Sequence, residues 1–450
     1  MRVSDNSRGR PRGRVPRRPG PGSHPRGEGG ARGKATLGRS LGGLPVWQAR
    51  LAAMAGFTLP GVLLRLSGVH LLPQIGLFAF GGSVVAAAFM LAWAAEAAEV
   101  DVPPGIAVAG VALVAVLPEY VIEIYFAFTA HVEFVTASLT GSTRLLLGFA
   151  VGMPAIASLV LARRGGPKLD VVELKPQRRL DLAIIATASL YAPLVVLRGH
   201  LAWTDAIVLI GLYVLYLRRV STGSPEPPHL VGVSAELGKL PKKPRQRWVL
   251  GIMAYSAVTV LITAEPFANS VLGAGMAMGI SPYLLVQWLV PLATESPELV
   301  IAFVLIVHNR PAQGVAVLLS SAVSQWTLAL GTLPLAYAAG AGKGPLPLLG
   351  REQVELLLTM GQGLLAVAML VTLRLRRQDS VIMLALFLTQ LVIPIVAVRA
   401  ALTLVYLIIA VDILASERWA ISTLRQTLRP DPSVPAAGPP ADFAPTRPSR

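Results

Sequence analysis

EVDVPPGIAVAGVALVAVLPEYVI (99–122) and MGISPYLLVQWLVPLATESPELVI (278–301) decide the architecture. Aligned so that Glu119 meets Glu298, they place Pro103 on Pro282 sixteen residues upstream, Pro118 on Pro297 immediately before the acid, and PEYVI on PELVI. Single proline matches arise easily in apolar sequence. Several in register, with an acid attached, mark an internal repeat. Downstream, each copy passes through a short polar turn into a segment rich in small polar residues, ASLTGSTRLLLG (137–148) and LLSSAVSQWTLALG (318–331).

Both stretches are too apolar for a soluble domain, and so is the chain around them. Its 450 residues are 54% hydrophobic and 14% charged, with a mean hydropathy of +0.61, against about 25% charged in ordinary globular proteins. Twelve apolar segments approach the roughly 20 residues that a bilayer crossing needs. They are 51–71, 74–98, 104–130, 134–162, 181–198, 202–217, 248–270, 282–307, 312–340, 353–373, 380–398 and 400–416. The first, with Pro60 and Arg65, is the weakest and is open to a re-entrant or interfacial placement. With no cysteine, disulfides, thiolate metal sites and cysteine nucleophiles are excluded.

The net charge of +16 reports membrane orientation rather than nucleic-acid binding. With the N-terminus inside, 34 of the 40 Lys and Arg fall in inner loops and tails, four outside (Arg198, Lys343, Arg351, Arg399) and two within the membrane (Arg65, Arg144). Without the tails the split is still 17 to 4, so both termini are expected in the cytoplasm of a cell with this protein in its plasma (inner) membrane. Residues 1–46 hold eleven basic residues among dense Gly and Pro and are expected to be a disordered tail. The expected organisation continues with a first transmembrane half at 47–217, a cytoplasmic linker at 218–247, a second half at 248–416 and a disordered tail at 417–450.

The two Pro-Glu segments are the third and eighth, so they cross in opposite directions. The expected fold is therefore an all-α integral membrane protein of about 11–12 transmembrane helices in two inverted-topology repeats, a plan whose sites lie at the repeat interface near the midplane. Glu119 and Glu123 are four apart and Glu295 and Glu298 three apart, so each pair lies on one helix face. Pro118 and Pro297 break the helices and release the carbonyls of Val114 and Ala293 toward a ligand. Oxygen ligands with negative charge suit a hard cation, and crowded carboxylates invite protonation. These acids are the expected cation- and proton-binding residues, with Thr294 beside them and Ser142, Thr143, Ser321, Ser324 and Gln325 as secondary ligands.

Arg144 matches Glu119 in depth at about 1.5 Å per residue, so an Arg144–Glu119 pair is expected. Such a pair is either a fixed structural bridge or a guanidinium standing where a cation would bind. Glu96, Glu99 and Asp101 cluster at an inner membrane edge and are expected to be solvated. Glu265, before Pro266, is a weaker candidate for the pathway, and Asp205 and Asp412 sit where capping accounts for them. The six His show no metal-ligand spacing.

The paired motifs resemble those of the sodium/calcium exchanger superfamily, the cation/calcium antiporters, whose repeats carry Gly-Thr-Ser-x-Pro-Glu. Ala293, Thr294, Ser296, Pro297 and Glu298 are similar to the second copy, Val116, Leu117, Pro118 and Glu119 hold the place of the first, and GISP (279–282) resembles the lead-in. The resemblance implies transported-cation ligands at Glu119 and Glu298, with Thr294. Ala115 and Val116 replace hydroxyls, Glu295 replaces a serine, and Ser138, Gly141, Ser142, Thr143, Ser320, Ser321, Ser324 and Gln325 stand where the family has asparagines.

The chain has no GxxxxGK[ST] or HExxH motif and no intramembrane Asp pair, so an enzyme is not expected. Nor is an ATP-binding domain, a cofactor or nucleic acid. The expected partners are inorganic cations, protons and the bilayer. The expected activity is secondary antiport of Ca2+ or Na+ against H+ or Na+ by alternating access; the alternative is a non-transporting scaffold or sensor that keeps the exchanger fold.

Overall fold

A computed structural model describes residues 45–69, 71–101, 116–166, 169–222, 230–341 and 344–427. A helix occupies each of the twelve apolar segments: α1 Val46–Ser67, α2 Pro73–Ala98, α3 Leu117–Phe128, α4 Val132–Arg163, α5 Arg178–Arg198 and α6 Trp203–Thr222 in the first half. After a short α7, Val233–Gly238, the second half holds α8 Lys242–Met278, α9 Pro282–Thr294, α10 Ser296–Val307, α11 Pro311–Ser324, a π-helical turn Gln325–Ala329, α12 Leu330–Ala341, α13 Arg351–Leu370, α14 Arg377–Val392, α15 Val396–Ser416 and a terminal α16, Arg418–Thr427. Among the described residues, eight spans are long and apolar enough to cross a membrane, one of them formed by α11, the π-helical turn and α12 together, and a ninth is the α9–α10 pair, bent by 58° at its break. Pro103, Val114 and most of both expected tails lie outside the described residues.

The repeat seen in the motifs continues into the backbone. Pro118 and Pro297 each occupy the first turn of a twelve-residue helix, where a missing N–H costs nothing and a fixed φ is already helical. Both helices end alike. Ala130 and Asn309 have φ of 59° and 61°, and the next residues close the turn with His131 N to Phe126 O and Arg310 N to Leu305 O, each 2.9 Å. A left-handed residue followed by this back-bond is the Schellman stop. Here it turns each Pro-Glu helix sharply into the small-residue helix that follows.

Two short antiparallel ladders supplement the helices. β1 (Val171–Glu173) pairs with β4 (Arg374–Arg376), and β2 (His200–Leu201) pairs with β3 (Leu346–Pro347). Since α5 runs from β1 to β2, the ladders mark opposite ends of the bundle. The β1–β4 end carries the loop of Arg163 and Arg164 and the α10–α11 turn, and the β2–β3 end carries the α3–α4 and α12–α13 turns.

Two clusters form the core. One gathers α4, α5, α11 and α13 around Leu146, Ile184, Leu318 and Leu365, and the other joins α3, α8, α9 and the π turn around Phe126, Phe267, Val290 and Trp326. Gly141 lets α4 and α9 touch, since a Cβ there would stand 1.8 Å from the Gln287 carbonyl oxygen. Large apolar side chains such as Phe78 and Leu197 point outward, as the lipid solvent requires. The first segment is one continuous helix rather than a re-entrant loop. Pro60 lies inside it, Gly61 N donates to Ser83 Oγ, and Arg65 pairs with Glu265 at 2.6 Å with both half exposed, which takes Glu265 away from the pathway. Asp205 caps α6 by accepting from Ala202 N at 2.7 Å.

The segment before α8 is packed, not loose. Val233 and Leu237 are buried against Leu51, Met90, Ala94 and Val249, and Ser234 Oγ donates to Glu96 Oε2 at 2.5 Å. Arg245 fastens its end, donating to Asp101 Oδ2 at 2.9 Å and Oδ1 at 2.5 Å and to the carbonyls of Gly238 and Leu240. Glu96 and Asp101 are thus held by partners, a correction to the expectation that the edge acids are solvated; a run of acids at a helix end does not reveal a partner more than a hundred residues away. The Arg245 guanidinium holds the Asp101 carboxyl below its usual range. A carboxyl depressed in the folded state stabilises above its unfolded pKa and loses that contribution as pH falls through its folded pKa. Arg245→Gln should therefore melt below wild type at neutral pH, with the gap narrowing below the ordinary carboxylate range to what the carbonyl bonds alone contribute. A gap of constant size across a pH series of melting curves would refute this.

Candidate functional site

Four carboxylates meet where the two Pro-Glu helices begin. Glu119 and Glu298 each stand in the first turn of their helix, Glu295 sits at the 58° break, and Glu123 lies one turn along α3 from Glu119. All are buried, with exposures of 3% for Glu119, 1% for Glu123, 1% for Glu295 and 8% for Glu298. The charges of Glu295, Glu298 and Glu123 all bear on Glu119. A buried charge without partners is expensive in a low dielectric, so the donors around these acids define the chemistry.

Those donors are few. Gln325 Nε2 donates to Glu119 Oε1 at 3.3 Å, to Glu295 Oε1 at 3.2 Å and to Ser142 Oγ at 3.1 Å, and Ser142 Oγ donates to Glu295 Oε1 at 2.5 Å. The π-helical turn begins at Gln325, and its neighbour Trp326 locks it by donating Nε1 to Ser189 Oγ at 3.0 Å. Such turns widen a helix locally and re-aim a side chain. Against this, both oxygens of Glu123, Oε2 of Glu295 and Oε1 of Gln325 are buried without a hydrogen-bond partner. Among the described residues no three His, Asp or Glu side chains are grouped to hold a metal ion, so amide, hydroxyl and backbone oxygens must complete any cation cage.

The other expected ligands turn elsewhere. Thr294 Oγ1 donates to Val290 O at 3.2 Å, Thr143 Oγ1 to Leu139 O at 2.9 Å, and Ser324 Oγ to Ser321 O at 2.8 Å. The Ala293 carbonyl is not left open, because Ser296 Oγ donates to it at 3.0 Å.

Arg144 does not meet Glu119. Its Nη2 lies 2.9 Å from Glu355 Oε2, its Nε donates to Thr140 O at 3.0 Å, and its Cζ stands 5.2 Å from the Trp288 ring centre. Depth alone suggested the pairing with Glu119; direction excludes it. Two residues turn a helix by about 200°, so Ser142 facing the acids sends Arg144 to the far side. There Glu355 also pairs with Arg399, Gln287 Nε2 donates to Glu355 Oε2 at 3.1 Å, and Gln390 and Gln362 link on to the Arg144 carbonyl. Arg144, Glu355 and Arg399 are all fully buried. This corrects the placement of Arg399 in an outer loop; it stands in the first turn of α15. Glu355, Gln287, Gln362 and Gln390 gave no signal beyond being polar in apolar segments.

An all-helical membrane protein in which two oppositely directed Pro-Glu helices bring buried carboxylates together at its centre is a cation-exchange transporter rather than an enzyme. The model of the sodium/calcium exchanger proteins matches residues 72–221 and again 248–396, and the chain belongs to that family. The solved structure of the H+/Ca2+ exchanger CAX is 34% identical, covering 85% of this chain and 98% of its own, with a TM-score of 0.80. That of native YfkE, 15% identical over 77% of this chain and 98% of its own, shares the fold at a TM-score of 0.56. No curated protein matches the chain significantly.

Proposed function

We propose that this cation exchanger is a secondary antiporter moving Ca2+ against H+ by alternating access between its inverted halves. The observation that carries this is the ratio at the site: beyond the backbone N–H groups at Glu119 and Glu298, the side-chain donors to four buried carboxylates are one serine hydroxyl and one glutamine amide among the described residues. That set cannot stay fully ionised in a membrane interior. It is neutralised by a divalent cation or by protons, and because both use the same oxygens, one displaces the other. Mutual exclusion at one site, exposed alternately to each side, is antiport. The similarity to an H+/Ca2+ exchanger supports this pair of ions.

Glu119 and Glu298 are the central cation and proton ligands in this proposal, with Glu295, Glu123, Ser142 and the Gln325 carbonyl around them and Thr294, Thr143, Ser321 and Ser324 further out. The β1–β4 end faces the cytoplasm of a plasma membrane, as the basic loops favour, and both termini lie on that side. The scaffold alternative drew on the missing family asparagines and on Arg144 filling a cation site. The pairing of Arg144 with Glu355 speaks against the second of these.

The test is flux into proteoliposomes loaded with a pH dye, with calcium, sodium, potassium or manganese added outside in turn. Calcium-driven proton movement is the expected result. Calcium uptake driven only by a sodium gradient would replace the proton as counter-ion, and silence with every cation would overturn antiport.

A further inference from the structure

α1 and α8 run parallel, because three contacts between them advance together along both helices. Trp47 meets Trp248 edge-on with ring centres 5.5 Å apart, Thr58 Oγ1 shares a hydrogen bond with Tyr255 Oη at 2.5 Å, and Arg65 pairs with Glu265. Between the first two contacts lies a groove of about 780 Å³, in which Gln48 and Ala52 on α1 face Arg247, Trp248, Gly251 and Tyr255 on α8. Each set keeps the three- and four-residue spacing of one helix face. The groove is open because side chain is missing: Ala52 is small, and a Cβ added at Gly251 would meet nothing within 4 Å.

This groove is apolar along its length and basic at one end. Arg247 lines its mouth, and Lys243, four residues earlier, stands on the same face of α8. Both are exposed, and neither has a hydrogen bond or ion pair among the described residues. Their neighbours are occupied: Arg245 is committed to Asp101, and the Lys242 charge bears on the same acid. Among the described residues no carboxylate lines the groove. Trp47 and Trp248 stand at the same end, as aromatic rings do at the level of lipid head groups. From Arg247 to Tyr255 the groove runs about 12 Å at 1.5 Å per residue, most of one leaflet of a hydrocarbon core about 30 Å thick.

We propose that the groove is a binding site for an anionic phospholipid of the leaflet at which α1 and α8 begin. The phosphate head group sits on Arg247 and Lys243, with the Gln48 amide as a further donor, and one acyl chain lies past Ala52 and Gly251 as far as Tyr255. Charge selects the class of lipid: a zwitterionic head group brings its own cation to a mouth that holds two and no acid. A soluble phosphate would meet the cations but leave the apolar length unfilled. The start of the chain is a poorer occupant, since residues 1–46 would bring eleven more basic groups to a basic mouth. Bound in this way, the lipid fills the gap between α1 and α8.

The experiment uses full-length protein in mild detergent, titrated in native mass spectrometry with dioleoylphosphatidylglycerol or dioleoylphosphatidylcholine, which share their chains and differ in head-group charge. Wild type should bind its first phosphatidylglycerol at least about fivefold more tightly than phosphatidylcholine. Arg247→Gln should weaken that binding about fivefold, the effect of one cation beside an anionic lipid. Arg50→Gln removes a charge about 200° around α1 from Gln48 and should leave binding within about twofold of wild type. Gly251→Leu fills the groove and should weaken binding about tenfold, the cost of overfilling a contact, while the lipid-free protein melts no lower than wild type, since leucine suits a helix better than glycine. Equal affinity for the two lipids would overturn the proposal, and so would equal losses in Arg247→Gln and Arg50→Gln, which would mark diffuse surface charge. Undiminished binding in Gly251→Leu would place the lipid elsewhere and overturn it as well. Glycerol 3-phosphate, a head group without chains, should not compete; competition at equal concentration would give the mouth to soluble phosphates instead.

Discussion

Glu298→Gln should lower calcium-dependent proton flux by at least about 100-fold while the protein still elutes as a folded species. The amide keeps the size and most of the packing of the side chain but cannot lose a proton or carry charge. The loss of a charged ligand in a water-poor site is worth about 2–4 kcal/mol, and each 1.36 kcal/mol is a factor of ten. Because Glu119 stands at the same turn of the matching helix, Glu119→Gln should fail to a similar extent. Purified variants reconstituted side by side with wild type decide the point. Flux within about twofold of wild type in either variant would remove that carboxylate from the exchange site.

The other large effect concerns a residue that touches no transported ion. Glu355 is the shared anion between Arg144 and Arg399, all three fully buried, and Arg351 approaches from the rim at 3.6 Å. Glu355→Gln leaves two guanidinium groups in the membrane interior without their counter-charge, a defect worth about 3–5 kcal/mol. The expected result is a steep fall in melting temperature in detergent, with poor yield of monodisperse protein. Glu236→Gln, which breaks only the exposed pair with Lys239, is the control and should change stability by under about 1 kcal/mol. A Glu355→Gln protein as stable as that control would show that the arginines find compensation elsewhere.

The architecture was legible because the strongest signals in this chain are long-wavelength ones. Apolar runs of bilayer length and prolines locked to an acid in two copies survive any local ambiguity, and they placed a helix in each of the twelve segments. Glu119, Glu123, Glu295 and Glu298 could be grouped because three- and four-residue spacings put side chains on one helix face. Azimuth across helices was not legible. Arg144 was matched to Glu119 by depth, yet its partner comes from α13, and only the packed bundle shows which way α4 is rotated. The same holds for Gln325, whose reach to three site atoms depends on a π-helical turn that its sequence does not announce. Arg399 lies beside the break between two apolar segments and counted as a loop charge, although the helix already includes it. The short strands were invisible as well, because two- or three-residue ladders carry no periodicity.

Those ladders bear on how the molecule can move. β1 and β2 come from the first half, β4 and β3 from the second, so main-chain bonds clasp the two halves together at both ends of the bundle. Leu174 N to Leu373 O and Leu348 N to Gly199 O, each 2.8 Å, extend the two clasps. In the alternating-access cycle proposed above, a clam-like parting of one half from the other would have to unbutton one clasp or the other each time. The cheaper displacement belongs to helices that carry no strand, and α1, α2 and α8, which pack on one another, form such a slab against the clasped frame.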